Sequence, residues 1–464
     1  MSTGNGTPLP AWMKAGWAAG DLGIACYVGG TMAYLLFFLT QAHGLSPAWA
    51  GLALLLPRLI DVALDPLMGV ISDRTVTRMG RRRPYLLFGS IAFALTFYLT
   101  FDIPDFVSPL HTVLYAGAMY LLASAAYTVY SIPHSAMAAD MSSSYRERTS
   151  IVGYRMLGSR IGILLVGLSG PYLFSSQATL KEGFRVFAVV FAGIILVGGL
   201  VSFLATRRAP RYEGPVAAFD MAAELRALRR NRPFRALFMV FLLQNIAIGM
   251  SATSLVYFAT IVMQVEVRHV GWFAAGAAAV AMLVTPLWMR AGKVWGVGKK
   301  RVYSTAILLE IAAYGGIFLL VGPGSVGVFV ALLLLLGVGD AACQLAPHSM
   351  VPDTVEAGQL ETGVRRDGMI FGAISGCMKL GMAFGAFLAS TTFSLAGFVP
   401  GEAVATQTDA AILGVRLAYC LIPVALWLAA LWLLRRYDLD EEHHDRIRAR
   451  LAEAGGAPEL PASR

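Results

Sequence analysis

Charge is what this chain lacks. Only 14% of its 464 residues are Asp, Glu, Lys or Arg, while 57% are hydrophobic and the mean hydropathy is +0.64. An ordinary soluble domain carries about 25% charged residues. The 37 basic and 28 acidic side chains cannot cover the surface of a soluble protein of this length, which excludes that class. Cysteine is scarce too: Cys26, Cys343, Cys377 and Cys420 all fall in apolar runs, and no C-x-x-C occurs. A disulfide framework or a zinc motif has no support, and the four read as small packing residues. Met1 to Ala11 is small and polar, without the basic n-region of a cleaved signal peptide. No nucleophile–base set, metal motif or nucleotide loop is present, which puts an enzyme last among the function classes.

Long apolar runs are abundant. A helix that crosses a bilayer needs about 20 apolar residues. Twelve such runs occur, at 14–40, 48–72, 84–103, 111–139, 150–174, 185–206, 234–263, 268–290, 302–321, 326–350, 364–397 and 411–434. The basic residues between them are distributed unevenly. With the N-terminus inside, twenty-nine Lys and Arg fall on one side, and only Lys181, Arg185 and Arg268 on the other. The positive-inside rule then sets both termini and the long central loop in the cytoplasm of a multi-pass cell-membrane protein. The basic face is a topology signal, and nucleic acid is not an expected partner.

The chain divides into 1–206, a charged central loop at 207–232, a second half at 233–436 and a cytoplasmic tail at 437–464. Within the loop, FDMAAELRALRRN reads as a short amphipathic helix on the membrane surface. The halves echo each other. Gly80-Arg81-Arg82-Arg83-Pro84-Tyr85 follows the second run, and Gly298-Lys299-Lys300-Arg301-Val302-Tyr303 follows the eighth. Pro133-His134-Ser135 with Asp140 ends the fourth run, and Pro347-His348-Ser349 with Asp353 ends the tenth. Two parallel six-helix halves form the architecture of the major facilitator superfamily, with a solute held at mid-membrane between them.

Ionisable residues inside a membrane are costly, so each is a functional candidate. Asp61 and Asp65 are four apart and share one helix face with Arg58. Two carboxylates that close in low dielectric repel, unless a cation sits between them or one holds a proton. One Arg does not neutralise both, so the spacing points to a cation site of hard oxygen donors, suited to Na+, Li+ or H+. The alternative is an internal ion pair that only fixes packing. Asp21 stands among small residues in the first run. Tyr120, Ser124, Tyr127, Ser131 and Ser135 form a polar stripe on the fourth, with Thr128 beside it; such a stripe either glues helices or lines a cavity. His134 and His348 read as hydrogen-bonded structural groups. Arg155 and Arg160 lie in the fifth run, Lys379 deep in the eleventh, and Asp340 and Gln344 in the tenth. Lys379 needs a partner, for which the Asp61/Asp65 pair is expected; Asp340 and Glu310 are either partners for Arg155 or snorkelling groups. Gly368, Gly372 and Gly376 suit tight helix packing. Asp73 and Arg74, next to Arg81 and Arg82, suggest an ionic latch between helix ends that opens and closes with conformation.

Three stretches carry a family resemblance: RLIDVALDPLMGVISDRTVTRMGRRRPYLL, YRERTSIVGYRMLGSRIG and ETGVRRDGMIFGAISGCMKLG. They resemble the glycoside–pentoside–hexuronide:cation symporters, the melibiose-permease branch of the major facilitators. The resemblance implies an all-α integral membrane protein of twelve transmembrane helices in two pseudo-symmetric halves, which imports a sugar, glycoside or uronide with Na+, Li+ or H+ and works as a monomer without any other cofactor. It assigns Asp61, Asp65, Thr128 and Lys379 to the cation site, with Asp61 and Asp65 as metal ligands if the ion is Na+. It assigns Asp21 and Arg155 to the solute and Arg58 to the neighbourhood of the acids. Tyr27, Tyr127, Ser131 and Gln344 complete the expected solute site, and Arg58, Asp73, Arg74 and Arg82 the gating set. The departures are on the solute side. Ser131 stands where the melibiose permease has a sugar-binding Asp, and Ser135 and Gln344 where it has Trp. One acid and both aromatic plates are therefore missing, which disfavours a disaccharide and leaves cationic Arg155 free to tolerate an anionic solute. A lysolipid carrier, a proton-driven exporter and a non-transporting receptor are the rival readings.

Overall fold

The computed structural model describes residues 9–142, 145–209, 226, 228–294, 298–362, 367–401 and 407–439, and positions 443, 444, 446, 447, 449 and 450 of the tail. Most of the expected amphipathic helix of the central loop, and Arg365 and Arg366, lie outside the described residues. All regular structure among the described residues is helical.

Twelve long helices follow the apolar runs. They are α1 (Ala11–Phe37), α2 (Pro47–Arg74), α3 (Arg83–Phe101), α4 (Pro109–Met141), α5 (Tyr145–Ser175), α6 (Leu180–Ala205), α7 (Arg232–Tyr257), α8 (Val270–Val294), α9 (Lys299–Leu320), α10 (Val326–Thr362) and α11 (Asp367–Leu395). The last, α12, runs from Asp409–Arg416 through a wider turn at Leu417–Leu421 into Ile422–Leu434. Eleven of the twelve are apolar and long enough to cross a membrane; α2 is not among the eleven. It is also the helix that carries Arg58, Asp61 and Asp65, so the span with the weakest membrane signal holds the candidate cation site.

Helix starts follow local chemistry. Proline, which lacks an N–H and has a helical φ, opens α2 and α4 and sits at the second position of α3. Thr179 and Thr408 accept from the backbone N–H groups of Glu182 and Ala411, capping α6 and α12. Pro57 and Pro66 lie inside α2, which nevertheless stays helical from end to end.

The described chain forms two compact units. One combines α1 to α6 with Gly249–Ala275 and Ala383–Tyr419. The other combines 228–248, Gly276–Met382 and the segment from Cys420 on. In the first unit α1 is central, packed by α5 and α6. A Cβ at Gly158 of α5 would stand 2.4 Å from the Ala18 carbonyl oxygen, so only glycine permits this approach. Phe93, Phe97, Phe101, Phe184, Phe187 and Tyr27 fill the space behind α1. The first unit also joins the ends of α1 and α7. Each widens into a π turn, Phe38–Ala42 and Phe258–Val262. Thr40 Oγ1 and the Tyr257 hydroxyl are 2.6 Å apart, and Thr253 Oγ1 donates to the Met32 carbonyl at 3.1 Å.

The second unit is built on Phe234, Leu237, Tyr303, Val351, Ile374 and Trp427. Buried Gln244 of α7 ties it together: its amide donates to the Cys343 carbonyl at 3.0 Å and accepts from the Tyr303 hydroxyl. All four cysteines are free and buried, in keeping with packing roles.

Candidate functional site

The three-residue step from Arg58 to Asp61 places both side chains on one flank of α2. There Arg58 Nη1 meets Asp61 Oδ2 at 3.1 Å. Arg58 is 5% exposed and Asp61 fully buried. The guanidinium is held on its other edge by α4, where Nε donates to the Tyr120 hydroxyl at 2.8 Å. It lies against two rings, Tyr120 at 5.4 Å and Tyr27 at 5.7 Å. This planar, pre-aligned fork is a use that lysine cannot fill.

Thr128, two turns along α4 from Tyr120, faces both acids. Its Oγ1 lies 2.7 Å from Asp61 Oδ1 and 2.9 Å from Asp65 Oδ1. A hydroxyl carries one hydrogen, which cannot fully serve two carboxyl oxygens. The result is a cluster of three hard oxygen donors from α2 and α4, the donor set that suits Na+, Li+ or a proton. Asp65 is half-buried, whereas Asp61 is sealed, so the cluster opens on the Asp65 side.

A second polar group gathers where α1, α4 and α5 meet. Arg155 Nε donates to Asp21 Oδ1 at 2.9 Å, and its Nη2 donates to Ser135 Oγ at 2.8 Å. His134 Nε2 lies 3.0 Å from the Trp17 carbonyl, while His348 Nδ1 lies 2.8 Å from the Gln344 carbonyl. Both histidines thus have the expected hydrogen bonds. Tyr27 is fully buried, stacks on Tyr127 at 5.1 Å and shares a hydrogen bond with Ser124 at 3.1 Å. Ser131 is buried on α4 between the two groups.

Other expected residues lie in the second unit. Lys379 is half-buried on α11 and Gln344 on α10, where the Gln344 amide is 3.4 Å from Asp340 Oδ1. Glu310 is buried on α9.

The echoed sequence segments become equivalent ion pairs. Arg82 Nη1 meets Asp140 Oδ2 at 2.8 Å and Arg82 Nη2 meets Asp73 Oδ1 at 3.0 Å; Arg81 also reaches Asp140 at 3.2 Å. In the second unit Lys299 bonds Asp353 at 2.7 Å. Burial pushes the Asp140 carboxyl upward, against the pull of Arg82 and Arg81. Arg74, also expected in this latch, is exposed in the last turn of α2 and takes no part in these pairs.

Comparison with known proteins agrees with this architecture. A family model described as MFS/sugar transport protein matches residues 16–441. An uncharacterized symporter, YnaJ of Bacillus subtilis, is 30% identical, covering 94% of this chain and 93% of that one. A glucuronide carrier protein homolog of Escherichia coli is 27% identical over 89% of each. Among solved structures, a bacterial homolog of the human lysosomal transporter Spinster superposes with a TM-score of 0.67 at 16% identity, over 97% of this chain and 98% of that one. The fold is therefore that of the major facilitators, the resemblance to glycoside–pentoside–hexuronide symporters holds across both halves, and the chain belongs to the MFS/sugar transport protein family of membrane transporters.

Proposed function

We propose that this transporter is a symporter that takes up a sugar, glycoside or uronide together with Na+ or H+ by alternating access. The single observation that carries the reading is the Thr128 hydroxyl within hydrogen-bond reach of both Asp61 and Asp65. In this reading the cation binds among those three residues, and Arg58 holds the Asp61 carboxyl in place. Cation binding draws α2 onto α4 and so shapes a solute site that includes Asp21, Tyr27, Tyr127, Ser131 and Arg155. Each ligand then strengthens the other by the same factor, a coupling of about 1–3 kcal/mol. The Arg82 latch, with Asp73 and Arg74 beside it, opens and closes with the conformational cycle. The chain works as a monomer in the cell membrane with both termini in the cytoplasm.

The test is uptake of radiolabelled methyl β-D-glucuronide and methyl β-D-glucoside into proteoliposomes under an imposed Na+ or proton gradient. Gradient-driven accumulation is expected for the wild type and its loss for Asp61→Asn. Full gradient-driven accumulation by Asp61→Asn overturns the cation assignment. Protection against heat by lysolipids and by no sugar would overturn the solute class.

A further inference from the structure

Buried faces of α1 and α4 hold an acid–base pair that the cation cluster does not use. Asp21 and His134 are both fully buried. A carbonyl oxygen only accepts, so the Trp17 carbonyl fixes the hydrogen on His134 Nε2. In the neutral ring Nδ1 is then a bare lone pair. It lies 3.8 Å from Asp21 Oδ2. Neither Nδ1 nor Oδ2 has a hydrogen-bond partner among the described residues. Two acceptors buried face to face are costly. One proton on Nδ1 lowers that cost, because the resulting imidazolium sets a positive charge 3.8 Å from Asp21 Oδ2.

The ring cannot swing away. It is stacked on Trp17 at 4.7 Å with an interplanar angle of 7°, and on Tyr130 at 5.4 Å. A Cβ at Gly20 would stand 2.7 Å from Nε2, so α1 closes over it. Among the described residues, the titratable and charged groups that face it are Asp21 from α1, Arg155 from α5 and Tyr130 from α4 itself.

We propose that His134 Nδ1 and Asp21 Oδ2 together bind a proton, and that this proton frees Arg155 to bind an anionic group of the solute. The charges decide the second step. Without the proton, Asp21 and Arg155 balance each other. With it, His134 neutralises Asp21 and leaves the Arg155 guanidinium uncompensated. Arg155 is the accessible member, its side chain 37% exposed against 1% for Asp21. A carboxylate on a sugar ring restores neutrality, and a neutral glycoside does not. The proton site stands on geometry alone; the solute step rests on the uptake function proposed above.

The experiment is 15N NMR of the full-length protein in nanodiscs with labelled histidine. The His134 signal is identified by its loss in His134→Gln, or by the ring-current shift imposed by Trp17. Expected is a ring protonated at Nε2 at high pH that gains a proton at Nδ1 as the pH is lowered. Asp21→Asn should lower its proton affinity at least tenfold. A ring that stays neutral throughout, or a titration unmoved in Asp21→Asn, overturns the pair. With solute, methyl β-D-glucuronide should bind the wild type at least tenfold more weakly at pH 8 than at pH 6, and methyl β-D-glucoside equally at both. Equal pH dependence for the two glycosides overturns the link to anionic solutes. If neither glycoside binds at any pH, the uptake reading falls, and the titration still decides the proton site.

Discussion

Gln264 repeats the backbone of Gly44, 220 residues earlier: φ is 59° in one and 65° in the other. The same turn surrounds both. Leu45 N–H bonds the Leu39 carbonyl, and Val265 N–H bonds the Ala259 carbonyl, each after a π turn. The two halves share not only their ion pairs but the way their first helices end. Glycine reaches this left-handed region freely, whereas a residue with a Cβ gives up about 1–2 kcal/mol there. Gln264→Gly is therefore expected to stabilise the protein by about 0.5–1 kcal/mol after the entropy glycine adds to the unfolded chain. Thermal unfolding in detergent checks this, with Gly44→Ala as a destabilising counterpart. A lower melting temperature for Gln264→Gly would contradict it.

Thr128→Val keeps the shape of the side chain and removes the one hydroxyl between the acids. A hydrogen bond to a charged group contributes about 1.5–3 kcal/mol, so the cation concentration for half-maximal uptake should rise at least tenfold. Equal cation dependence in wild type and Thr128→Val would remove Thr128 from the site.

Tyr120→Phe tests how Arg58 is held. The variant keeps the ring against the guanidinium and deletes the acceptor for Nε. A loss of about 1.5–3 kcal/mol in unfolding free energy is expected. Arg58→Lys should cost at least as much, since an ammonium cannot serve Asp61, Tyr120 and the Tyr27 face together. Chemical denaturation of the three proteins side by side gives the comparison.

His43 sits just past the end of α1, edge-on to the Phe38 ring at 4.9 Å. Burial, reinforced by the nearby Lys181 ammonium, pushes its imidazole down to about 4 from an ordinary 6.5. The unfolded chain therefore takes up a proton below pH 6.5 that the folded chain refuses until pH 4. Stability from this group is complete above pH 6.5, is lost as pH falls from 6.5 to 4, and is level below that. Melting temperature against pH should show a shallower acid decline in His43→Gln than in the wild type.

Much of the fold is legible from the sequence because a bilayer demands long apolar helices, and those are simple to see. The acid pair and the Arg58–Asp61 contact follow from spacing on a single helix. What is not legible depends on how helices cross. Nothing in the run that holds Tyr120 says that its hydroxyl receives Arg58 Nε. His134 has its expected hydrogen bond to Trp17, but its second nitrogen meets Asp21 only because α1 passes close by at Gly20. Glycine holds the left-handed position in one turn and glutamine in the other; Phe38 and Thr40 recur as Phe258 and Thr260 at the same offset, but the likeness of the turns is plain only in the backbone. Residues such as Lys379 and Gln344, in the second unit, are the ones whose roles sequence spacing cannot decide.

The Arg58–Asp61 pair also bears on how the chain is made. An isolated Arg or Asp at the centre of a nascent span opposes membrane insertion by about 2.5–3.5 kcal/mol. Because the two lie three residues apart on the same helix, α2 brings its own counter-charge into the bilayer as it leaves the ribosome. Thr128, which reaches both acids, is translated 63 residues after Asp65. The second span is thus half self-sufficient, and its final seating waits for the fourth.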